Sequence, residues 1–412
     1  MSIANFGLIP YGHTIMGDLK FVSDNEYGCD DFGTSIKSGD EQSPIVILRR
    51  GVCSFVQKVR NVEHGGGRLA IIVDEIDNED PDMIIMVDDG TGNGIQIPSV
   101  MISKTDGEKL IDQYNEIQEN KGYVKLKVTF EMSRPDDRVE YDIWFSSFND
   151  KGLDFISNFE PFHRTLGDKV LMTPRYFTWP CEGCDSSITD VDCFWDGKYC
   201  AIDETDAKIT GRDIIHENLR QKCVYLNSIQ DKKTDTLWWE YIKKIHEKCY
   251  TELSEDCSKL IHSDLNIDYD KTMKCVNDSF DNPDHGTGDN QLMKNETALW
   301  DKHGAHYIPS VIINNVVYRG ILDPENVFSA ICNGFKDTPE QCRAYVDGGL
   351  VNNDKVTFDW FIVVIIFLII LNIVLLLIWK KLNQRAMKED VNLAVDDYMR
   401  LRQGTNEMSD KP

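Results

Sequence analysis

At 412 residues and 41% hydrophobic content, the chain is long enough for two domains of ordinary size, each with its own core. Its 69 acidic against 44 basic residues give a formal charge of -25 at pH 7, which disfavours nucleic acid or the anionic face of a membrane as partner and suits a basic or neutral one. All 12 cysteines, from Cys29 to Cys342, precede a long apolar segment, an even number on one side that fits an oxidising lumen where disulfides persist.

The opening MSIANFGLIPYG has no basic region followed by an apolar stretch, so the sequence reads either as a processed form or as one that has lost a first exon. Short apolar runs at 45–48, 69–73, 83–87 and 95–102, separated by Gly, Asp and Asn, predict buried strands of an α/β unit. Between the first two, FVQKVRNVEH at 55–64 carries apolar residues at helical spacing and ends at Gly65-Gly-Gly67, a helix stop. Arg50, Gly51, Val52, Cys53, Ser54 and Phe55 therefore form a strand-to-helix turn with outward backbone N–H groups. Loops held by a rigid scaffold are where binding contacts concentrate, which makes these six residues the candidate binding site.

The stretch ILRRGVCSFVQKVRNVEHGGGRLAIIVDE resembles the core signature of the protease-associated (PA) domain, in which an RG-x-C-x-F turn leads into a helix and then an apolar strand. PA domains occur in proteases, in membrane-bound ubiquitin ligases and in sorting receptors, so the resemblance implies a binding module and no particular activity. Cys29 and Cys53 are the only cysteines of this unit, and in an oxidising compartment they are expected to pair.

A second unit begins near residue 135. RVEYDIWF at 138–145 predicts a strand, 153–162 a helix, and KVLM at 169–172 with Tyr176-Phe177 further strand. The segment 211–280 is helical by pattern, with Ile214, Ile215, Leu219, Val224, Trp238, Trp239, Ile242 and Ile245 at helical spacing. HYIPSVIINNVVYRG at 306–320 predicts strand, Asn-Asn turn and strand, and 324–335 a closing helix. A proline opening such a hairpin before a final helix resembles the thioredoxin fold. In that family a reactive cysteine pair starts the first long helix, where the helix N-terminus lowers the thiol pKa. Here the place reads Phe145-Ser-Ser-Phe-Asn-Asp150, without cysteine. Cys181-Glu-Gly-Cys184 has the spacing but follows the second strand, in a run with Cys193 and Cys200, and these four read as structural disulfide partners. No metal site and no cofactor is expected, because an oxidising lumen disfavours zinc on the same cysteines.

Beyond 345 the chain turns to WFIVVIIFLIILNIVLLLIW at 360–379, uncharged and with Asn372 as its single polar side chain, the length needed to cross a bilayer. Trp360 and Trp379 stand at its ends and Lys380, Lys381 and Arg385 follow, which places the C-terminus in the cytosol. Asn372 is suited to hydrogen-bond across a helix pair, which allows a homodimer. The sequons at Asn277 and Asn295 lie on the lumenal side and make both candidate glycosylation sites. In the tail, Tyr398-Met399-Arg400-Leu401 fits the Tyr-x-x-Φ pattern that adds as an extended strand to the medium subunit of clathrin adaptors.

These parts in this order resemble the vacuolar sorting receptors. The likeness includes Asn5-Phe-Gly7, Tyr11, Asp137-Arg-Val-Glu-Tyr141, Gly197-Lys-Tyr-Cys-Ala201, Asn218-Leu-Arg-Gln221, Trp238-Trp239, Tyr318-Arg-Gly320 and Cys332-Asn-Gly-Phe335. The resemblance implies an α/β multidomain chain. A PA cargo-binding domain spans 1–134, and a divergent thioredoxin-like domain spans 135–345 with a helical insertion at about 201–285. A lumenal stalk at 346–359, a transmembrane helix at 360–379 and a cytosolic tail at 380–412 follow. Such a chain is expected to be a single-pass type I protein of Golgi, endosome or vacuole-bound vesicles, not an enzyme. It is expected to bind soluble vacuolar or lysosomal hydrolases, or their sorting peptides, and to sort them through clathrin adaptors. The alternative is a membrane-tethered thiol-disulfide oxidoreductase or lumenal chaperone. Two departures stand out: the EGF-like repeats that members usually carry before the membrane do not fit between Cys342 and the span, and the acidic residues that flank the RG turn in the family are replaced by Arg49 and Val52.

Overall fold

The computed structural model describes residues 1–36, 43–76, 84–201, 208–346, 368–372 and 374–381. Residues Met1–Gly348 make one compact unit and Gly349–Pro412 another.

The first domain is built on strands β1 (Ser2–Ile3), β2 (Thr14–Lys20), β3 (Ile45–Arg49), β4 (Leu69–Val73), β5 (Ser99–Ile102) and β6 (Lys125–Thr129), in the sheet order β1-β5-β4-β3-β2-β6. The central four are parallel and the outer two antiparallel. Central parallel strands are covered on both faces, which is why β3 and β4 read as unbroken apolar runs. Val46, Leu48, Ala70 and Ile72 pack under α1 (Phe55–His64) on one face. Ile45, Ile47, Leu69, Ile71 and Val73 pack under α2 (Lys104–Glu119) on the other. Of the run expected as a strand at 83–87, the described residues 84–87 are not a strand. From Ile84 onward it lies beside the first residues of the chain through single hydrogen bonds, such as Asn5 N to Met86 O at 3.2 Å, and Val87 is 57% exposed.

The second domain carries a sheet in the order β14-β13-β7-β8, formed by β7 (Val139–Phe145), β8 (Val170–Tyr176), β13 (Ser310–Ile313) and β14 (Val316–Val317). Strand β7 alternates, with Val139, Tyr141, Ile143 and Phe145 in the main core and Trp144 in a small second cluster. Helix α3 (Asp150–Leu166) joins β7 to β8, and the Ile308–Pro309 peptide before β13 is cis. Between β8 and β13 come α4 (Ser186–Asp192), the β9 (Cys193–Phe194) and β10 (Tyr199–Cys200) pair, then helices α5 (Gly211–Lys232), α6 (Thr236–Cys249), α7 (Glu255–Asp264) and α8 (Tyr269–Asp278). The pair β11 (Phe280–Asn282) and β12 (Thr287–Asn290) leads to α9 (Gln291–His303), and α10 (Pro324–Cys332) with α11 (Arg343–Val346) ends the domain. Six disulfides, Cys29–Cys53, Cys181–Cys184, Cys193–Cys200, Cys223–Cys275, Cys249–Cys257 and Cys332–Cys342, use all 12 cysteines.

The two domains meet along a hydrogen-bonded seam. Gly320 N donates to Ala4 O at 3.0 Å, Ile321 N to Gly7 O at 3.1 Å, and Arg319 N to the Tyr11 hydroxyl at 2.7 Å. Gly320 has φ +100°, and a Cβ there would lie 2.8 Å from the Ile9 side chain, so close approach of the two chains requires glycine. Asn5–Gly7, Tyr11 and Tyr318–Gly320, far apart in sequence, are thus one structural feature.

In the separate C-terminal unit the described residues are helical, and the apolar side chains at 368–371 and 374–379 are exposed. Among the described residues no helix is long and apolar enough to cross a membrane; the segment at 360–379 lies partly, and Tyr398 to Leu401 wholly, outside them.

Candidate functional site

The RG turn leaves the end of β3 and enters α1 within five residues. Gly51 at φ +100° and Val52 at φ +71° make the bend, and Ser54 caps α1 by accepting from Gln57 N at 3.2 Å. The Cys29–Cys53 disulfide ties the turn to the segment before β3. Val52 is 81% exposed at the tip, an aliphatic side chain presented to solvent by a rigid loop.

The two arginines at the turn are held inward. Arg49 bonds Glu108 through two guanidinium nitrogens and Glu26 through Nε at 2.8 Å, and these carboxylates, Glu108 first, hold its pKa above the ordinary arginine value. Arg50 Nη1 lies 2.7 Å from Oδ1 of Asp74, whose side chain is wholly buried, while about a third of the Arg50 side chain stays exposed (32%). Asp74 directly follows the apolar strand β4, and a carboxylate at the end of a buried strand is the sequence signal that could have found it. Asp89 joins the site from the loop after 84–87: the Ser54 and Thr91 hydroxyls hold its carboxyl below the usual range.

Lys58, one turn into α1, is fully buried behind the disulfide, with Nζ 2.5 Å from Tyr27 O and 3.8 Å from Cys29 Sγ. Burial pushes its ammonium down to about 8. Unfolded lysine titrates near 10.4, so between about pH 8 and 10 the unfolded chain holds a proton that the folded chain has released, and stability rises with pH there. Below about 8 both states are protonated and the desolvation penalty is fully present. Melting temperatures measured from pH 8 to 9.5 should climb for the wild type and stay flatter for Lys58→Met; parallel curves would mean that the ammonium is not desolvated.

At the start of α3, where a thioredoxin-like enzyme would carry its thiols, Asn149 caps the helix by accepting from Gly152 N at 2.9 Å. A Cβ on Gly152 would lie 2.4 Å from Asn149 Oδ1 and 3.1 Å from Phe145 Cβ, so a cysteine there has no room without rearrangement. Cys181–Cys184 and Cys193–Cys200 form one small buried cluster with Trp179 beyond β8. Asn277 and Asn295 are exposed, on α8 and α9. No group of three or more metal-ligating side chains occurs among the described residues.

Residues 139–332 match the vacuolar sorting receptor thioredoxin-like domain, and residues 15–110 match the PA domain. Vacuolar-sorting receptor 5 of Arabidopsis thaliana is 32% identical over 371 residues, covering 82% of this chain and 57% of that protein. Vacuolar-sorting receptor 1 of Pisum sativum is 31% identical over 364 residues, with the same 82% and 57% coverage. A receptor homology region, transmembrane domain- and RING domain-containing protein of Arabidopsis thaliana is 42% identical over 74 residues, 18% of this chain and 16% of that one. The chain therefore spans 57% of the length of the two receptors. With a PA domain and the receptors' own thioredoxin-like domain in this order, and likeness running through both, the chain belongs to the vacuolar sorting receptor family.

Proposed function

We propose that this chain is a cargo receptor that binds soluble hydrolases or their sorting peptides at the RG turn and carries them to a vacuole or lysosome. The observation that carries the reading is the turn itself: a disulfide-braced, helix-capped loop with an exposed Val52 at its tip and, at its base, an Arg50 with about a third of its side chain exposed. Catalysis is no part of the reading, because Asn149 and Gly152 stand at the start of α3. Residues 360–379 act as the membrane anchor, with 1–345 lumenal and Asn277 and Asn295 glycosylated. Tyr398 to Leu401 engage the clathrin adaptor medium subunit as an added strand.

The test is retention of proteins from a vacuolar extract at neutral pH by immobilised full-length receptor. Arg50→Ala alone removes the counter-ion of a buried carboxylate and should cost about 1–3 kcal/mol of stability. The informative comparison is therefore Arg50→Ala with Asp74→Asn against Asp74→Asn alone. Loss of a charge-assisted hydrogen bond should weaken cargo binding about 10-fold or more. Equal retention by the two variants would remove Arg50 from the site.

The tail is tested separately in cells. Tyr398→Ala or Leu401→Ala should leave cargo affinity intact and move the protein to the cell surface, with hydrolases secreted. Wild-type distribution of the double variant by surface biotinylation would exclude the motif.

A further inference from the structure

The sheet of the second domain has two unlike faces. Val139, Tyr141, Ile143 and Phe145 of β7 point into the main core, so Glu140 and Asp142 point to the other side. Register places Leu171 beside Glu140, and Thr173 and Ile312 on either side of Asp142, on that same outer face. Parallel strands such as β7 and β8 are normally covered on both faces. Here α9 covers one end, where Trp300 packs its ring 5.1 Å from Trp144. Beyond it the face opens into a cavity of about 410 Å³, within the range of ligand sites, walled by Pro135, Asp136 and Arg138 and by the end of α9.

His303 gives this cavity a buried polar group in need of a partner. Its side chain is 7% exposed and lines the cavity. Asn315 approaches the ring, yet Nδ1 has no hydrogen-bond partner among the described residues, and Asp142 Oδ2, at 3.9 Å, is too far to be one. Arg175 Nε lies 3.1 Å from the same carboxylate oxygen, but it is buried without the alignment of a hydrogen bond. Buried polar atoms left without partners are costly, and two of them around one acceptor, at the wall of a cavity, point to an occupant.

The charges of the lining balance: Arg138, Arg175 and Lys302 stand against Asp136, Glu140 and Asp142, and burial keeps His303 uncharged at neutral pH. Arg138 is already paired with Glu140, and Arg175 with Asp142. A ligand with net charge of either sign would meet as much repulsion as attraction. Hydroxyl groups suit the place, since each donates one hydrogen bond and accepts two, and so can serve Asp142 and His303 together. The half-buried Leu171 and Leu299 offer a strip for C–H groups. A ring that carries several hydroxyls on a C–H frame has this chemistry.

We propose that this cavity is a saccharide site, which takes a neutral sugar with hydroxyls toward Asp142, His303 and Glu140 and its C–H face on Leu171 and Leu299. It shares no residue with the RG turn and does not depend on the cargo reading. Two sources share the chemistry. One is a glycan of this chain: Asn295, exposed on α9, precedes Leu299 and Lys302 by four and seven positions and so shares their face of the helix. The other is a sugar carried by another protein.

The experiment uses the full chain with Asn295→Gln in lipid nanodiscs, with weak binding read by saturation-transfer NMR. Mannobiose and diacetylchitobiose are the neutral probes, mannuronic acid the anionic and mannosamine the cationic one. A neutral probe should bind about 10-fold or more tighter than either charged sugar. His303→Leu should weaken it about 10-fold or more, and His303→Gln, which keeps a donor and an acceptor, less. Glu140→Ala should also weaken it, at an unchanged melting temperature because the Glu140 side chain is 59% exposed, which keeps the test intact if His303→Leu does not fold. Adding Arg50→Ala and Asp74→Asn should change nothing. The glycosylated wild type separates the sources: no added sugar bound there places the Asn295 glycan in the cavity, and binding there shows a site open to a foreign sugar. Binding of neither neutral probe by the Asn295→Gln chain leaves the cavity to solvent and overturns the proposal. Tighter binding of a charged sugar, or unchanged affinity in both His303→Leu and Glu140→Ala, overturns it as well.

Discussion

Replacing Glu217 by alanine should destabilise the two-domain unit by about 3–5 kcal/mol, because it strands a buried arginine. Glu217 Oε2 lies 2.8 Å from Arg220 Nε one turn along α5, and the two side chains are 1% and 5% exposed. Its other oxygen accepts from the Tyr241 hydroxyl at 3.1 Å and from Gln221 Nε2 at 3.2 Å, and Tyr241 goes on to Ser258 at 2.8 Å. One carboxylate thus organises α5, α6 and α7. Without it, among the described residues, the Arg220 guanidinium keeps a long contact to Leu253 O at 3.5 Å. Glu217→Gln retains acceptor and shape and should cost less. Glu217→Met with Arg220→Met removes both charges and should recover most of the loss, since a buried ion pair adds little over apolar packing of the same volume. Urea titration followed by tryptophan fluorescence reads the effect, with Trp238 and Trp239 buried beside the network. A loss below about 1 kcal/mol for Glu217→Ala would show that Arg220 finds another partner.

The second large effect is expected at Cys223–Cys275, which joins α5 to α8 across a sequence separation of 52, more than twice that of Cys29–Cys53 at 24. Constraining a loop of that length removes chain entropy from the unfolded state worth about 4 kcal/mol. Cys223 is fully buried, so alanine at both positions adds a small cavity to the entropic loss. Against a total stability of about 5–15 kcal/mol, the double variant should melt its helical insertion at or near physiological temperature. The observable is protease sensitivity between α5 and α8, with the Cys249–Cys257 double variant, whose separation is only 8, as the milder control. Equal resistance of the two variants would show that packing alone holds the insertion.

The parts of the fold legible in sequence are those whose signal is local. The RG turn announces itself by glycine after a β-rich run and by Ser54 ahead of a helical period. The Asn314-Asn315 turn does so by two residues that tolerate the left-handed conformation they adopt, at φ +48° and +64°. What was not legible depends on tertiary partners. The run at 83–87 has the composition of a strand, but the place it would take in the sheet, beside β5, belongs to β1. Strand β2 hides behind Gly17, whose missing side chain is explained only by Ser43 O, 1.9 Å from where a Cβ would sit. The site was half visible: Arg50 and Val52 are in the motif, whereas Asp74, Lys58 and Asp89 join it only when β4, α1 and the 84–92 loop are brought together.

The seam between the domains also fixes an order of events. Tyr11, 3% exposed, packs its ring 5.5 Å from Tyr318 and accepts from the amide of Arg319, 308 positions later. At about 5–20 residues per second of synthesis, the first strand and its tyrosine wait roughly 15–60 s for that partner. Through that interval the N-terminal segment is held by β5, the 84–88 stretch, Phe130 and the first domain's own core, and its border with the second domain stays unfinished. It is completed only by the end of the second.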